Sequence, residues 1–188
     1  MKRKLIHLSS SAIPLILYIL PPDIGLAVVA AMLILAITVD VVRLHIPAVQ
    51  QFFEKLFGQA MRPHEAKELT GSTFLCLSAM VCIVLFPLPI AVSALFFLTI
   101  GDTAAALVGQ KWGKTVLVPG KTLEGTMACL ITCTIVVVIM PGVTLIAGLP
   151  GALTATIVEL FGTETIDDNF GIPVFSAVVM WIVASTVI

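Results

Sequence analysis

The chain predicts an all-α, polytopic membrane bundle, and three observations carry that prediction. It is 59% hydrophobic and only 11% charged, whereas soluble domains run near about 45–50% apolar and about 25% charged. Several apolar runs approach ~20 residues, the length a helix needs to cross a bilayer. The basic residues also fall on one side of those runs only, as described below. No polar linker divides the chain, so residues 1–188 are expected to form a single integral membrane domain.

About seven spans follow in order. The first covers roughly Leu5–Leu20 and stops at Pro21-Pro22. "MKRK" precedes it like the start of a signal peptide, but no small-residue cleavage site follows, so it reads as a retained helix. The second covers roughly Ile24–Leu44. In the polar stretch after it, Val49, Phe52, Phe53, Leu56 and Phe57 recur at helical spacing. That pattern fits an amphipathic helix on the membrane surface, or a connecting helix packed on the bundle. The third span, roughly Leu69–Phe86, ends at "PLP", and the fourth covers roughly Ile90–Gly109. The fifth covers roughly Thr122–Met140, and "PGVTLIAGLPG" makes a Pro/Gly-rich crossing. The sixth is roughly Ala152–Phe161 and the seventh roughly Gly171–Ile188. Cys76, Cys82, Cys129 and Cys133 all lie in apolar segments without a CxxC pair. Buried thiols are expected there, not a disulfide framework or a zinc site.

With the N-terminus cytoplasmic, the inner segments are 1–4, 43–68, 110–121 and 162–170. All 10 lysines and arginines fall in them. The outer turns near 21–23, 87–89 and 141–151 contain none. This is the positive-inside pattern, and it places the C-terminus outside.

Asp40, Asp102, Glu124 and Glu159 lie within the drawn spans, each toward its inner end. An acid at the bilayer centre costs about 2.5–3.5 kcal/mol by insertion scales, so it usually faces a cavity, a partner or a site. Asp102 sits roughly 10 Å below the inner end of its helix, at about 1.5 Å per residue. Gly101, Ala105 and Gly109 form a small-xxx-small face that explains close helix packing, but not the acid between them.

The loop after Asp102 carries Lys111, Lys114 and Lys121 among glycines, and Gly120-Lys121-Thr122 opens the fifth helix. Exposed N–H groups at a helix start beside a lysine suit a phosphate. The lysines also fit a purely topological role, since basic residues gather in inner loops. Glu124 stands three residues after Lys121, near enough for a pair or a shared ligand. "GKT" is not a P-loop: that motif needs glycine where Thr115 stands. Near the last span, Asp167, Asp168 and Asn169 read either as helix caps or as hard oxygen ligands for magnesium with substrate phosphates. Acids from two helices and lysines from a loop, all on the inner side, describe a metal–nucleotide site at the membrane surface.

"GDTAAALVGQKWGK" followed by "GKTLEGT" resembles the central motif of the CTP-dependent lipid kinases, the family of dolichol kinase, phytol kinase and CTP-dependent diacylglycerol kinase. "RKLIHLSSS" at 3–11, "KELTGSTF" at 67–74 and "VELFGTETIDDNFGIP" at 158–173 are similar to further elements of that family, in order. The pattern is also similar to the CDP-diacylglycerol synthases, membrane cytidylyltransferases. Those carry a further basic signature near the C-terminus, whereas this chain has no Lys or Arg after Lys121.

The resemblance implies transfer of the γ-phosphoryl group of CTP to the hydroxyl of a membrane lipid alcohol such as diacylglycerol, a polyprenol or phytol. It implicates Asp102, Lys121 and Glu124 in catalysis, and Asp102, Asp168 and Asp167 as ligands of Mg2+. It adds the Asp168-Asn169 pair and, as weaker candidates, Arg3, Lys4, His7, Glu68, Thr70 and Glu159. With Lys111, Lys114, Gly120 and Thr122 from the phosphate-suited loop, Arg3, Lys4, His7, Glu68, Thr70 and Asn169 make up the expected substrate-binding set. Gln110 stands where the family often has arginine and is left outside the expected site. Either Asp102 or Glu124 would take the hydroxyl proton, and the preference for cytosine follows from the resemblance alone. The expected partners are CTP, a lipid alcohol and the bilayer, with no nucleic acid; the small-residue helix faces permit a homodimer. The active site is expected on the cytoplasmic face. The cytidylyltransferase remains the alternative, and a small ion-coupled transporter a further one.

Overall fold

Prolines punctuate this chain. The computed structural model describes residues 2–162 and 167–187, with side chains over 6–162 and 167–186. Its elements are α1 (Lys2–Ser9), α2 (Ala12–Ile19), α3 (Pro22–His45), α4 (Pro47–Phe57), α5 (Gly71–Leu85), α6 (Leu88–Phe96) and α7 (Thr103–Trp112). A hairpin of β1 (Val116–Val118) and β2 (Lys121–Thr122) follows, then α8 (Leu123–Ile139), α9 (Leu145–Phe161) and α10 (Asp168–Val187). Proline stands in the first turn of α3, α4 and α6. There its missing N–H removes no helical bond and its fixed φ suits the helix.

Three helical rods are long and apolar enough to cross a membrane: Pro22–His45, Leu88–Trp112 and Asp168–Thr186. Ile6–Ile19, Gly71–Leu85, Leu123–Ile139 and Leu145–Phe161 are shorter apolar helices. The described residues are thus all-α apart from the hairpin, and their apolar helices fall on the apolar runs of the sequence in order. Two differ in detail. The first run is split near Ser10-Ser11 because Pro14 cannot donate to the Ser10 carbonyl and its ring crowds it. The Ser9 and Ser10 hydroxyls donate to the Ile6 and His7 carbonyls at the break. The sixth run is longer than expected, since the apolar crossing is itself helical from Leu145 onward, with Pro150 inside the helix. The amphipathic pattern after α3 is realised as α4, which has no buried residue.

The rod Leu88–Trp112 is the axle of the bundle: 72% of its most apolar window is buried, against 17% for α3 and 39% for α10. Ala91, Val92, Ala94, Leu95, Phe97 and Leu98 are its core face. Cys129, Cys133 and Val137 of α8, Ala152 and Ala155 of α9, and Ile172 and Met180 of α10 pack with them in one cluster. The opposite faces are apolar and exposed, as at Ile34, Leu35, Val138 and Ile139. An apolar outer surface on a packed core is what a bilayer solvent requires. All four cysteines are buried free thiols.

Between α6 and α7 the rod winds as a π-helix over Phe97–Asp102. Such wider turns occur often at functional sites, and this one ends on Asp102. Gly101 lies within it, and a Cβ there would sit 2.6 Å from the Cys133 sulfur, so α8 approaches this close only because residue 101 is glycine.

Candidate active site

A cavity of about 320 Å³ opens where the hairpin, the end of α1 and the ends of α7 to α10 converge. Local structure explains how several polar side chains reach its wall. Asp102 is delivered by the π-turn and is 7% exposed. His7 occupies the last turn of α1, and its Nε2 lies 3.3 Å from Asp102 Oδ2. Lys121 is presented by the hairpin. Pro119-Gly120 joins β1 to β2, and Gly120 takes φ +80°, a value suited to glycine after proline in a tight turn. Thr122 then caps α8, its hydroxyl accepting from the Gly125 N–H at 3.2 Å.

Lys121 Nζ reaches across to Glu159 Oε1 at 2.5 Å. Burial pushes the Lys121 ammonium toward a lower pKa. The hydrogen bond to Glu159 and the charges of Glu159, Asp102 and Asp168 outweigh burial, and the pKa ends above the ordinary lysine value. The lysine therefore stays charged throughout the neutral range. Glu159 is 3% exposed, and its Oε2 has no hydrogen-bond partner among the described residues.

Arg62 completes the wall from the loop after α4. Its Nη1 donates to Asp167 Oδ2 at 2.7 Å and its Nη2 to Asp168 Oδ2 at 3.4 Å. Asp168 Oδ1 is buried without a hydrogen-bond partner among the described residues. Asp167 is fully engaged: its Oδ1 accepts from the Asn169 N–H at 2.8 Å and from Asn169 Nδ2 at 2.5 Å, as a helix cap does. Ala105, Ala106, Gly109 and Gly125 fill the rest of the wall with small side chains. The close packing of α7 on α8 and the space in the cavity thus share one cause.

The structure brings together Asp102, Lys121, His7, Gly120, Thr122, Asp168 and Asn169 of the residues expected from sequence. It does not bring in Glu124, whose two carboxylate oxygens lie 3.2 Å from the Thr115 amide, anchoring the hairpin. Lys121 is paired with Glu159 instead, because the strand aims it into the cavity while Glu124 turns back along the loop. Lys111 and Lys114 are exposed outside the wall, Lys111 resting 4.7 Å from the Trp112 ring centroid. Glu68 contributes its carbonyl to Arg43 Nη2 at 2.5 Å, and Thr70 donates its hydroxyl to Asp40 at 3.0 Å. Both belong to a neighbouring buried network. The side chains of Arg3 and Lys4, and all of residues 163–166, lie outside the described residues. Sequence reasoning missed Arg62, which no local pattern marks, undervalued Glu159 and left out Gln110, which lines the cavity.

The cavity wall offers hard oxygen donors of the kind a divalent cation takes. Two buried carboxylate oxygens, on Glu159 and Asp168, are orphaned, and orphaned buried acceptors are costly unless something binds them. Among the described residues, the acidic group whose ligand atoms lie within 4.8 Å of one another is His64, Glu65 and Asp167, outside the cavity wall. It fits less well, because Glu65 already accepts from the Arg62 and Gly71 amides and Asp167 is saturated.

Known proteins were compared with this chain. CTP-dependent diacylglycerol kinase 1 of Schizosaccharomyces pombe is 30% identical over 169 residues, covering 79% of this chain and 76% of that protein. The chain belongs to the CTP-dependent lipid kinase family. CTP-dependent diacylglycerol kinase 1 of Saccharomyces cerevisiae is 29% identical, covering 98% of this chain and 73% of that protein. The uncharacterized protein RP860 of Rickettsia prowazekii is 27% identical, covering 92% of this chain and 88% of that protein. No protein-family model and no solved structure matches the chain. For a CTP-dependent lipid kinase, a charged cavity at the helix ends of an apolar bundle is the expected meeting place of a water-soluble donor and a lipid.

Proposed function

We propose that this protein transfers the γ-phosphoryl group of CTP to the hydroxyl of a membrane lipid alcohol, diacylglycerol first among the candidates. The observation that carries the reading is the cavity wall, where Asp102, Glu159 and Asp168 face Arg62 and Lys121 beside an apolar bundle. The names of the yeast relatives support CTP and diacylglycerol. The one-sided basic residues support a single membrane domain of about seven spans with a cytoplasmic N-terminus, an outer C-terminus and the cavity on the cytoplasmic face.

Phosphoryl transfer depends mainly on positioning and charge neutralisation. Lys121 and Arg62 neutralise the triphosphate, with the Thr122-capped start of α8 beside them. Glu159 and Asp168 would hold Mg2+, which when bound screens the phosphate charge. Asp102, oriented by His7, takes the proton of the lipid hydroxyl as its oxygen bonds to the γ-phosphorus. The bond from that phosphorus to the β–γ bridging oxygen breaks, and CDP leaves.

The test is the purified protein with Mg2+, CTP labelled in the α or the γ phosphate, and a panel of lipid alcohols. Label from the γ position in the lipid is the expected result, with loss of activity on chelation and recovery on adding Mg2+. Label from the α position, with phosphatidate as acceptor, would identify a cytidylyltransferase instead. No labelled lipid with CTP, ATP or GTP would remove the kinase reading.

A further inference from the structure

A second cavity, of about 350 Å³, lies against the first and shares His7 and Asn169 with it. Its chemistry is opposite. Ile6, Val39, Phe53, Phe57, Met61 and Leu75 dominate its wall. Two acids, Asp40 and Glu65, also border it; Glu65 accepts from the Arg62 and Gly71 amides, and Asp40 is saturated within the protein. Asp40 Oδ1 accepts from Arg43 Nε, and its Oδ2 accepts from the Thr70 N–H and from the Thr70 and Thr73 hydroxyls.

One side of this chamber is α4. Phe53 is held in place, its ring 5.3 Å from the Arg43 guanidinium and 4.9 Å from the Phe57 ring. Beyond them Phe52 and Leu56 are 63% and 59% exposed. An amphipathic helix with an uncovered apolar flank suits the headgroup–acyl boundary of a bilayer. The charged phosphates of a nucleotide gain nothing from such a chamber, whereas a molecule with one hydroxyl and a hydrocarbon body matches it from end to end.

We infer that this apolar chamber is the lipid-acceptor site. It takes the head and first carbons of the lipid alcohol, the hydroxyl directed to His7 and Asn169 and the chains leaving past Phe57 to the bilayer. His7 is then a positioning residue at the junction, in reach of the acceptor on one side and of Asp102 on the other. The inference rests on the kinase reading, and it adds where the acceptor enters and which helix admits it. Because the chamber recognises a hydrocarbon body and not a headgroup, acceptors are discriminated by the bulk of their first carbons.

Two measurements test it. Val39→Trp and Ala60→Trp fill the chamber without touching the charged wall. Each should raise the KM for diacylglycerol about tenfold while the KM for CTP stays within about twofold. In parallel, a diacylglycerol carrying a diazirine near the start of one acyl chain is photolysed in nanodiscs of the wild-type protein, and the labelled peptides are mapped. Label on residues 36–39, 53–61 or 72–75 is expected. An unchanged KM for diacylglycerol in both variants, or label confined to the outer faces of α8 and α9, overturns the inference. If the wild type forms no phosphorylated lipid at all, the kinase reading falls by itself. The photolabelling alone then decides the chamber, upholding it by label on those segments and overturning it by label elsewhere.

Discussion

The Asp40–Arg43 pair and the Lys121–Glu159 pair are both acid–base contacts in the apolar bundle, and they differ in how completely they are satisfied. Arg43 and Asp40 are 0% and 1% exposed. Arg43 donates to Asp40 at 2.7 Å and to the Glu65 and Glu68 carbonyls, while Asp40 also collects three bonds from Thr70 and Thr73. Both Asp40 oxygens and all three Arg43 nitrogens are thereby engaged within the protein. The Lys121–Glu159 contact, at 2.5 Å, is also short but opens on the cavity and leaves Glu159 Oε2 with no hydrogen bond among the described residues. A saturated buried pair holds chain segments together; an unsaturated one in a cavity wall has capacity for a ligand. The first ties α3 to the 62–70 loop that carries Arg62. Under the proposed function, the second is the pair that a metal–nucleotide substrate would engage.

The largest effect should come from the cavity. Asp102→Asn keeps the volume and the packing but cannot take a proton, and turnover should fall about 10²- to 10⁴-fold. Thermal unfolding in detergent should be nearly unchanged. A variant with wild-type turnover would remove Asp102 from the chemistry and leave it, like Asp40, a structural acid.

Lys121→Met should cost about 10²- to 10³-fold, the scale of losing one preorganised charge at a developing anion. The pH dependence has a defined sign. The folded-state pKa of Lys121 is raised above its ordinary value of 10.5. The stabilisation from its pairing is therefore fully present below that value and is lost as pH rises through the higher folded pKa. Wild type and Lys121→Met should show the same trend of stability with pH through the neutral range and diverge only in strong alkali. A neutral-range step in wild-type stability that Lys121→Met lacks would mean that the cavity holds Lys121 neutral.

Asp40→Ala sharpens the comparison from the other side. Removing one member of a buried pair leaves the other uncompensated, at about 3–5 kcal/mol of stability. Denaturant titration should register that loss, while the fraction that stays folded keeps the wild-type KM for CTP. A raised KM for CTP in that folded fraction would mean that the saturated pair serves the nucleotide site, through the loop that carries Arg62.

These two regions were unequally legible in the sequence. The apolar runs, the proline breaks and the one-sided lysines are local features, and they laid out the helices in order. Asp102 stood out because charge inside an apolar run has few structural explanations; Asp168 and Lys121 stood out as adjacent acids and a glycine-flanked lysine at helix starts. The saturation of Asp40 was hidden, since its partners Thr70 and Thr73 arrive from 30 and 33 residues away. Arg62 was hidden for the same reason, its acidic partners lying 105 and 106 positions on. The π-turn at Phe97–Asp102 has no composition of its own; it is a change in winding within an otherwise ordinary apolar helix. Glu124 misled because spacing along a helix says which residues are neighbours, not which way a preceding hairpin points.

Glu124 therefore gives the smallest expected effect and the most direct challenge to the distinction between satisfied and unsatisfied groups. Its carboxylate meets the Thr115 amide from both oxygens and does not line the cavity. In Glu124→Gln the side-chain oxygen still accepts from that amide, so the hairpin and the placement of Lys121 should persist. Solvent screens the charge that is lost, and turnover should change less than about threefold. If Glu124→Gln instead loses as much activity as Lys121→Met, the hairpin must turn in the working enzyme to bring Glu124 to the phosphates. A bonded acid outside the wall would then count as functional, and saturation would no longer separate the two kinds of pair.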